Sequence, residues 1–209
     1  MHIDTFLLFL KAAGVGLLIA APVGPIGLLT IQRTLDRGMA TGLATGLGAA
    51  LADAAYGAVG AWGVTRIIEL LTQARTPLAL AGGALLLWMA WRTATQPLAS
   101  QAASVPTGTD LARCFAGTFV LTLSNPATIL SFLAVFASMA GSTASTLQPL
   151  PMVSGVLVGS AVWWLGLSWG VSRLRHRLDN AWRRRINLLS GCLLAAFALW
   201  QWAGLLMPA

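Results

Sequence analysis

Six apolar stretches fill most of this 209-residue sequence, and their length constrains the fold more than any other feature. They are Phe6–Ile31, Ala40–Val64, Thr76–Trp91, Leu111–Met139, Met152–Val171 and Ile186–Met207. About 20 consecutive apolar residues suffice for a helix to cross a bilayer, and only the third stretch is short by this measure. Charged residues make up 9% of the chain, against roughly 25% in a soluble domain. The stretches lack the two-residue alternation of barrel strands, so the sequence predicts an all-α integral membrane protein with six transmembrane helices.

The basic residues fall mostly on one side of this predicted membrane domain. Ten of the 13 lysines and arginines lie in or beside the first, third and fifth loops, six of them in the run Arg173–Arg185. By the positive-inside rule these loops are cytoplasmic and both termini face outward. The arginine run and the net charge of +7 could also indicate binding to anionic lipid or nucleic acid. Topology explains both features, so we expect membrane lipid around the protein and no nucleic acid partner.

The two halves of the chain look weakly alike. Residues 93–110 are rich in Ser, Thr, Ala and Pro, which is typical of a flexible connector, here on the cytoplasmic side. They separate three predicted spans in residues 1–92 from three in residues 111–209. Trp62-Gly63-Val64 resembles Trp169-Gly170-Val171, and Leu80-Ala81-Gly82 resembles Leu189-Ser190-Gly191. Units separated by an odd number of crossings are inverted, so we expect two inverted three-helix repeats with a site between them.

A single acid, Asp53, interrupts the second apolar stretch near its middle. A charge at the centre of a membrane helix costs roughly 2.5–3.5 kcal/mol on insertion scales, and such residues usually serve ion or solute movement. Asp53 could exchange a proton, pair with a substrate ammonium group, or do each in turn. The alternative is that it only hydrogen-bonds a neighbouring helix. Tyr56 lies on the same helix face and could hydrogen-bond the carboxyl group or the substrate, or simply pack between helices.

Two stretches carry residues that disturb a helix. The first contains Pro22, Gly24 and Pro25, and the fourth contains Asn125 and Pro126 at the corresponding place. Proline removes a backbone donor and clashes with the preceding turn. We therefore expect broken helices with free backbone groups, although a plain proline kink is the alternative. Paired interruptions in two halves are a strong sequence pointer to a transport site.

Other chemistries find little support in the sequence. Cys114 and Cys192 are far apart and form no CxxC pair, and no intramembrane His/Cys cluster could select a metal, so we expect no metal and no cofactor. No Ser or Cys lies in register with a membrane His and acid, so we expect no enzyme activity. Trp163 and Trp164 lie in mid-span, where they could line a pathway or pack. The remaining alternatives are an inorganic-cation exporter and a non-transport assembly subunit of the membrane.

These motifs together resemble the lysine exporter (LysE/RhtB-type) family. The resemblance rests on Ala21–Gly27, on Ile31–Gly38, on the glycines from Gly42 to Gly57 around Asp53 and Tyr56, and on Asn125-Pro126 with Thr128–Phe136. It implies a homodimeric six-span exporter of amino acids or related small polar metabolites in the bacterial inner membrane, driven by proton antiport. The family's shared residues map onto Gly24, Pro25, Asp53, Asn125 and Pro126.

Overall fold

The chain is helical throughout the parts that the structure describes. The computed structural model describes residues 2–22, 24–62, 73–95, 107–125, 128–129, 131–132, 149–175 and 180–206. Their helices are α1 (His2–Ala20), α2 (Pro25–Arg37), α3 (Met39–Ala61), α4 (Arg75–Thr95), α5 (Gly108–Leu123), α6 (Pro149–Arg175) and α7 (Asn180–Leu206). No strand occurs within these ranges, which agrees with the predicted all-α class.

The helices follow the apolar stretches, although α6 and α7 begin before the fifth and sixth stretches. The other stretches show three further differences. The first stretch is divided between α1 and α2, which are bent by 80° relative to each other. The third is a longer helix than predicted, because α4 continues to Thr95. The fourth is covered by α5 only as far as Leu123, and most of the later residues of that stretch, including Pro126, lie outside the described residues.

Length and hydropathy single out few of the described helices as spans. Pro149–Leu174 is long and apolar enough to cross a membrane alone, and Thr5–Ala20 with Pro25–Arg37 passes the same test as a bent pair. Ala79–Arg92 is a shorter apolar helix. α3 consists largely of glycine and alanine, whose small side chains add little hydropathy.

The distribution of side chains differs from that in a soluble protein. Many large apolar side chains point outward, with Leu18, Trp91, Leu150 and Trp200 each 70–77% exposed. Hydroxyl side chains share the interior with apolar clusters. The least exposed of these are Thr30, Thr34, Thr41, Thr45, Thr118, Thr122, Ser160 and Ser168, none more than 2% exposed. Apolar exteriors of this extent mark surfaces that meet something other than water, and a bilayer is the environment that fits.

Glycines allow close contact between the helices. α3 packs against α5 and α6, while α1 packs along α6 and α4 along α7. Gly46 lies directly against Trp164, and Gly48 against the carbonyl group of Phe115. On α6, Gly155 and Gly159 lie against the carbonyl groups of Phe9 and Ala13. In each place a side chain would overlap the neighbouring helix, which confirms that these small residues are packing sites.

Candidate functional site

The first helix break lies between Ala20 and Pro25. α2 begins at Pro25, with Gly24 in an extended conformation at the N-cap position. Proline is well tolerated at this first helical position because the amide it lacks would have had no partner inside the helix. The Gly24 N–H donates to the Pro22 carbonyl at 2.8 Å. The predicted interruption is therefore a true break, and the amide groups of α2's first turn have no carbonyl earlier in their own helix.

The second break follows α5 in the other half. Ser124 caps α5, and the Asn125 N–H donates to the Thr122 carbonyl at 3.2 Å. The Asn125 carbonyl accepts from the Ile129 N–H at 3.2 Å, and Asn125 Nδ2 donates to Thr128 Oγ1 at 3.1 Å. Asn125 thus joins the end of one helical segment to the first turn of the next.

A narrow cleft brings the two breaks together. It is lined by Pro25, Ile26, Gly82, Leu86, Leu121 and Asn125. Pro25 and Asn125, one from each predicted break, thus lie on the same cleft. Little more than one water molecule fits in it, so in this conformation the cleft is nearly closed. Pro22 and Gly24 lie on the chain leading into it.

Asp53 lies outside the cleft lining, between α3 and α6. Its side chain is 3% exposed, and its Oδ2 accepts a hydrogen bond from Ser160 Oγ at 2.7 Å. Ser160 Oγ in turn accepts from Trp164 Nε1 at 3.1 Å. The sequence does not single out Ser160, and for Trp164 it allows either a place along a pathway or a packing role. Their spacing of one helical turn on α6 was the available signal.

Tyr56 binds the second break instead of the carboxyl group of Asp53. Its hydroxyl donates to the Leu123 carbonyl at 2.6 Å, and its ring stacks on Phe132 with centroids 5.4 Å apart. Leu123 is the last residue of α5, where carbonyl groups lose their helical partners. Tyr56 therefore supplies a donor that the broken helix lacks, and it fixes α3 against that break.

Trp164 connects the two groups of residues. It is 3% exposed and belongs to the same buried cluster as Ile26 and Leu121, both of which line the cleft. Trp164 therefore belongs both to the buried cluster that lines the cleft and, through Ser160, to the hydrogen-bonded chain that ends at Asp53. Asp53 itself is not among the residues that line the cleft.

Neither a metal nor a cofactor has an evident site in the described part of the chain. No group of three or more His, Cys, Asp or Glu side chains gathers there. Cys114 is buried and Cys192 exposed, and both are free thiols.

Comparison with known proteins gives a consistent result over most of the chain. The sequence model described as LysE type translocator matches residues 17–201. The membrane protein YahN of Escherichia coli, itself uncharacterized, is 28% identical over 174 residues, covering 82% of this chain and 78% of the relative. YcgF of Bacillus subtilis, whose name assigns it provisionally to amino acid efflux, is 27% identical over 92% of this chain and 94% of its own length. The chemotactic transduction protein ChpE of Pseudomonas aeruginosa is 26% identical, with coverage of 91% and 95%. No solved structure matches the chain.

Proposed function

This chain belongs to the LysE type translocator family, and from that premise we propose that it exports amino acids or related small polar metabolites from the cytoplasm in exchange for protons. Proteins of this kind are membrane transporters, which agrees with the expectation that the chain is not an enzyme. The substrate class follows from the name of the relative YcgF. The proton is assigned from the chemistry of the buried acid.

Asp53 is the observation that carries the proposal. It is the one fully buried acid among the described residues, and a single hydroxyl, from Ser160, satisfies one of its two oxygens. An acid of this kind inside a membrane protein is a functional candidate by default. Asp53 would bind the exchanged proton, the ammonium group of the substrate, or each in turn.

The helix breaks would hold the rest of the substrate. The N-terminus of α2 carries the positive end of the helix dipole and opens onto the cleft at Pro25 and Ile26. Half-helix N-termini of this kind suit anionic groups such as a carboxylate. Asn125, and with it Pro126, would complete the site from the other half. Tyr56 would hold the second break in position.

Paired contacts support the proposal of six spans in two inverted repeats. The alignment that places Trp62 on Trp169 also places Gly48 on Gly155 and Asp53 on Ser160. Gly48 lies against the Phe115 carbonyl on α5, and Gly155 lies against the Phe9 carbonyl on α1. The contact of α3 with α5 thus has its counterpart in the contact of α6 with α1. Alternating access would then rock one repeat against the other across the Asp53–Ser160 contact.

The surroundings of the protein follow from the same topology. We place it in the bacterial inner membrane as a multi-pass protein with both termini outside, surrounded by lipid, and we propose a homodimer. The outward-facing apolar side chains on α4 and α7, such as Trp91 and Trp200, would meet lipid or a second copy.

The test is flux through purified protein in liposomes. A panel of radiolabelled amino acids, with and without an imposed pH gradient, should reveal at least one substrate whose movement follows the gradient.

Asp53→Asn should abolish that flux, because the amide cannot take up a proton or balance an ammonium charge. The amide oxygen can still accept from Ser160, so expression and thermal stability should be retained. Asp110→Asn, which changes a partly exposed acid outside the core, is the matched control and should transport normally. Undiminished proton-coupled flux from the Asp53 variant would contradict the proposed binding of a proton or an ammonium group by Asp53.

An assembly role is the second candidate, because the relative ChpE is named for chemotactic transduction. In that case Asp53→Asn would change the recovery of a membrane complex and leave solute accumulation unchanged. The liposome assay separates the two, since a purified subunit without transport function moves none of the panel.

A further inference from the structure

Arg33 connects three helices through hydrogen bonds. In the sequence it is one of the bases on the predicted cytoplasmic side and part of the motif Ile31–Gly38. Its Nη1 donates to Thr45 Oγ1 at 3.0 Å on α3 and to Thr118 Oγ1 at 3.1 Å on α5. The same nitrogen lies 3.4 Å from the Cys114 carbonyl oxygen. We call Arg33, Thr45 and Thr118 the arginine site. It is half-buried at the end of α2 that the positive-inside pattern assigns to the cytoplasm.

The hydrogen bonding of Arg33 is one-sided. All three acceptors are uncharged and all three contact Nη1. Nε and Nη2 carry no hydrogen bond to any described residue. A guanidinium presents five N–H donors and binds a carboxylate best through two parallel bonds. Arg33 therefore keeps its Nε and Nη2 donors available for the two parallel hydrogen bonds that a carboxylate forms. None of its three acceptors is an acid.

Unsatisfied hydroxyl groups lie next to the arginine site. Thr41, one turn before Thr45 on α3, is fully buried and its Oγ1 has no hydrogen-bond partner. Ser168 Oγ on α6 is likewise buried without a partner. Gly42 lies against both Ser168 Oγ and Thr34 Oγ1, so these hydroxyls gather at one level of the bundle. Buried polar groups are normally paired. Thr41 Oγ1 and Ser168 Oγ are therefore able to hydrogen-bond a polar solute.

The charges at this end of the bundle favour an anion. Arg37 lies close enough to Arg33 to act on it electrostatically. Arg37 and Arg113 both act on Asp110, whose pKa is lowered chiefly by hydrogen bonds from Thr107. Three arginines (Arg33, Arg37 and Arg113) and two acids (Asp36 and Asp110) thus lie at this end of α2 and α5. The excess of positive charge raises the local concentration of anionic solutes.

The arginine site is too far from Asp53 to share one α-amino acid with it. Thr45 and Asp53 are eight residues apart on α3, which corresponds to about 12 Å along the helix axis. An α-amine and its own carboxylate lie much closer together than that. On the basis of the proposed function, we propose that the arginine site is a separate, cytoplasmic-side station that captures the carboxylate of the exported solute before it reaches Asp53.

The test compares an amino acid with its primary amide, which lacks only the carboxylate charge. The probe is the amino acid that the panel identifies, measured by half-saturation of export from liposomes of phosphatidylcholine. Wild-type protein should prefer the acid over the amide by about tenfold or more, as expected for a paired, charge-assisted contact. Arg33→Gln should raise half-saturation by the acid about tenfold and reduce the preference to about twofold or less. Arg92→Gln changes an exposed arginine of α4 that lies over the Trp88 ring and outside the arginine site, so it should preserve the preference.

Two further measurements test whether Arg33 binds the substrate carboxylate if Arg33→Gln does not fold. Arg33→Lys keeps the charge but loses the paired donors, so the acid's half-saturation should still rise several-fold while that of the amide stays constant. Adding phosphatidylglycerol to the liposomes tests whether the site binds a lipid phosphate instead. An Arg33 effect that appears only with the anionic lipid overturns the carboxylate station.

The remaining outcomes separate this site from the proposed function. A wild-type protein that exports the acid and the amide equally, or an Arg33→Gln variant that keeps the wild-type preference, overturns the arginine site alone. A wild-type protein that moves no amino acid overturns the proposed function, and the arginine site with it.

Discussion

Ser160 is the residue on which the buried polar network depends. It donates to Asp53 and accepts from Trp164, so one hydroxyl satisfies two buried groups on two helices. Asp53 was predictable, because a charge in an apolar helix is conspicuous and costly. Ser160 was not, because a serine in a membrane helix usually bonds its own backbone. Its role depends on the approach of α3 to α6, which no local pattern reveals.

We expect Ser160→Ala to destabilise the protein. The change leaves Asp53 Oδ2 and Trp164 Nε1 without these hydrogen bonds in a buried position, at a cost of about 1–3 kcal/mol. Thermal unfolding in detergent should show a lower midpoint and liposome assays a slower export. Ser154→Ala is the matched control, since that hydroxyl is exposed on the same helix and bonds the Leu150 carbonyl. Equal midpoints for both variants would contradict the role given to Ser160.

At the scale of the helix, α6 carries two kinds of glycine. Gly155 and Gly159 lie against the backbone of α1, whereas a side chain at Gly166 or Gly170 would meet nothing within 4 Å. The four-residue spacing of the first two is typical of sites where helices pack closely. The sequence predicted the break at Pro22–Pro25, since the effect of proline on a helix is local. The 80° bend and the exact helix ends depend on tertiary packing and could not be predicted.

The two kinds of glycine should respond oppositely to alanine. Gly159→Ala places a methyl group against the Ala13 carbonyl, which should force α1 and α6 apart and cost about 1–3 kcal/mol. Gly166→Ala adds the same methyl in open space and should be neutral or stabilising by up to about 1 kcal/mol, because alanine favours the helix. Detergent unfolding of the pair measures the difference. A similar loss from both substitutions would argue against close packing at Gly159.

In the described part of the molecule, buried hydroxyl groups lie among apolar core clusters, and large apolar side chains cover much of the exterior, as suits a membrane protein. The apolar stretches predicted this class, and the matched breaks predicted that Pro25 and Asn125 would meet. The absence of Asp53 from the cleft lining could not be predicted, because it depends on how the helices pack together. The six-span topology remains a prediction, as do its orientation and the homodimer.

Single cysteines on the loops should report the predicted topology. After Cys114 and Cys192 are replaced by alanine, Arg37→Cys and Thr109→Cys should react with a membrane-impermeant maleimide only from the cytoplasmic side. Gln73→Cys and Leu150→Cys should react only from outside, because an odd number of spans separates each from the first pair. Labelling of all four positions from one side would exclude the six-span arrangement.

In the proposed arrangement of two inverted repeats, Asp53 and Ser160 occupy equivalent positions, and this pairing has an electrical consequence for the proposed proton exchange. Carboxyl groups at both paired positions would let each transport cycle carry two protons. With Asp53 paired to Ser160, each cycle carries one proton. If a zwitterion leaves as that proton enters, each cycle moves one net positive charge inward. Membrane voltage then contributes about 2.3 kcal/mol per 100 mV to export. The cell could therefore expel the solute on voltage alone, even when the pH is equal on both sides.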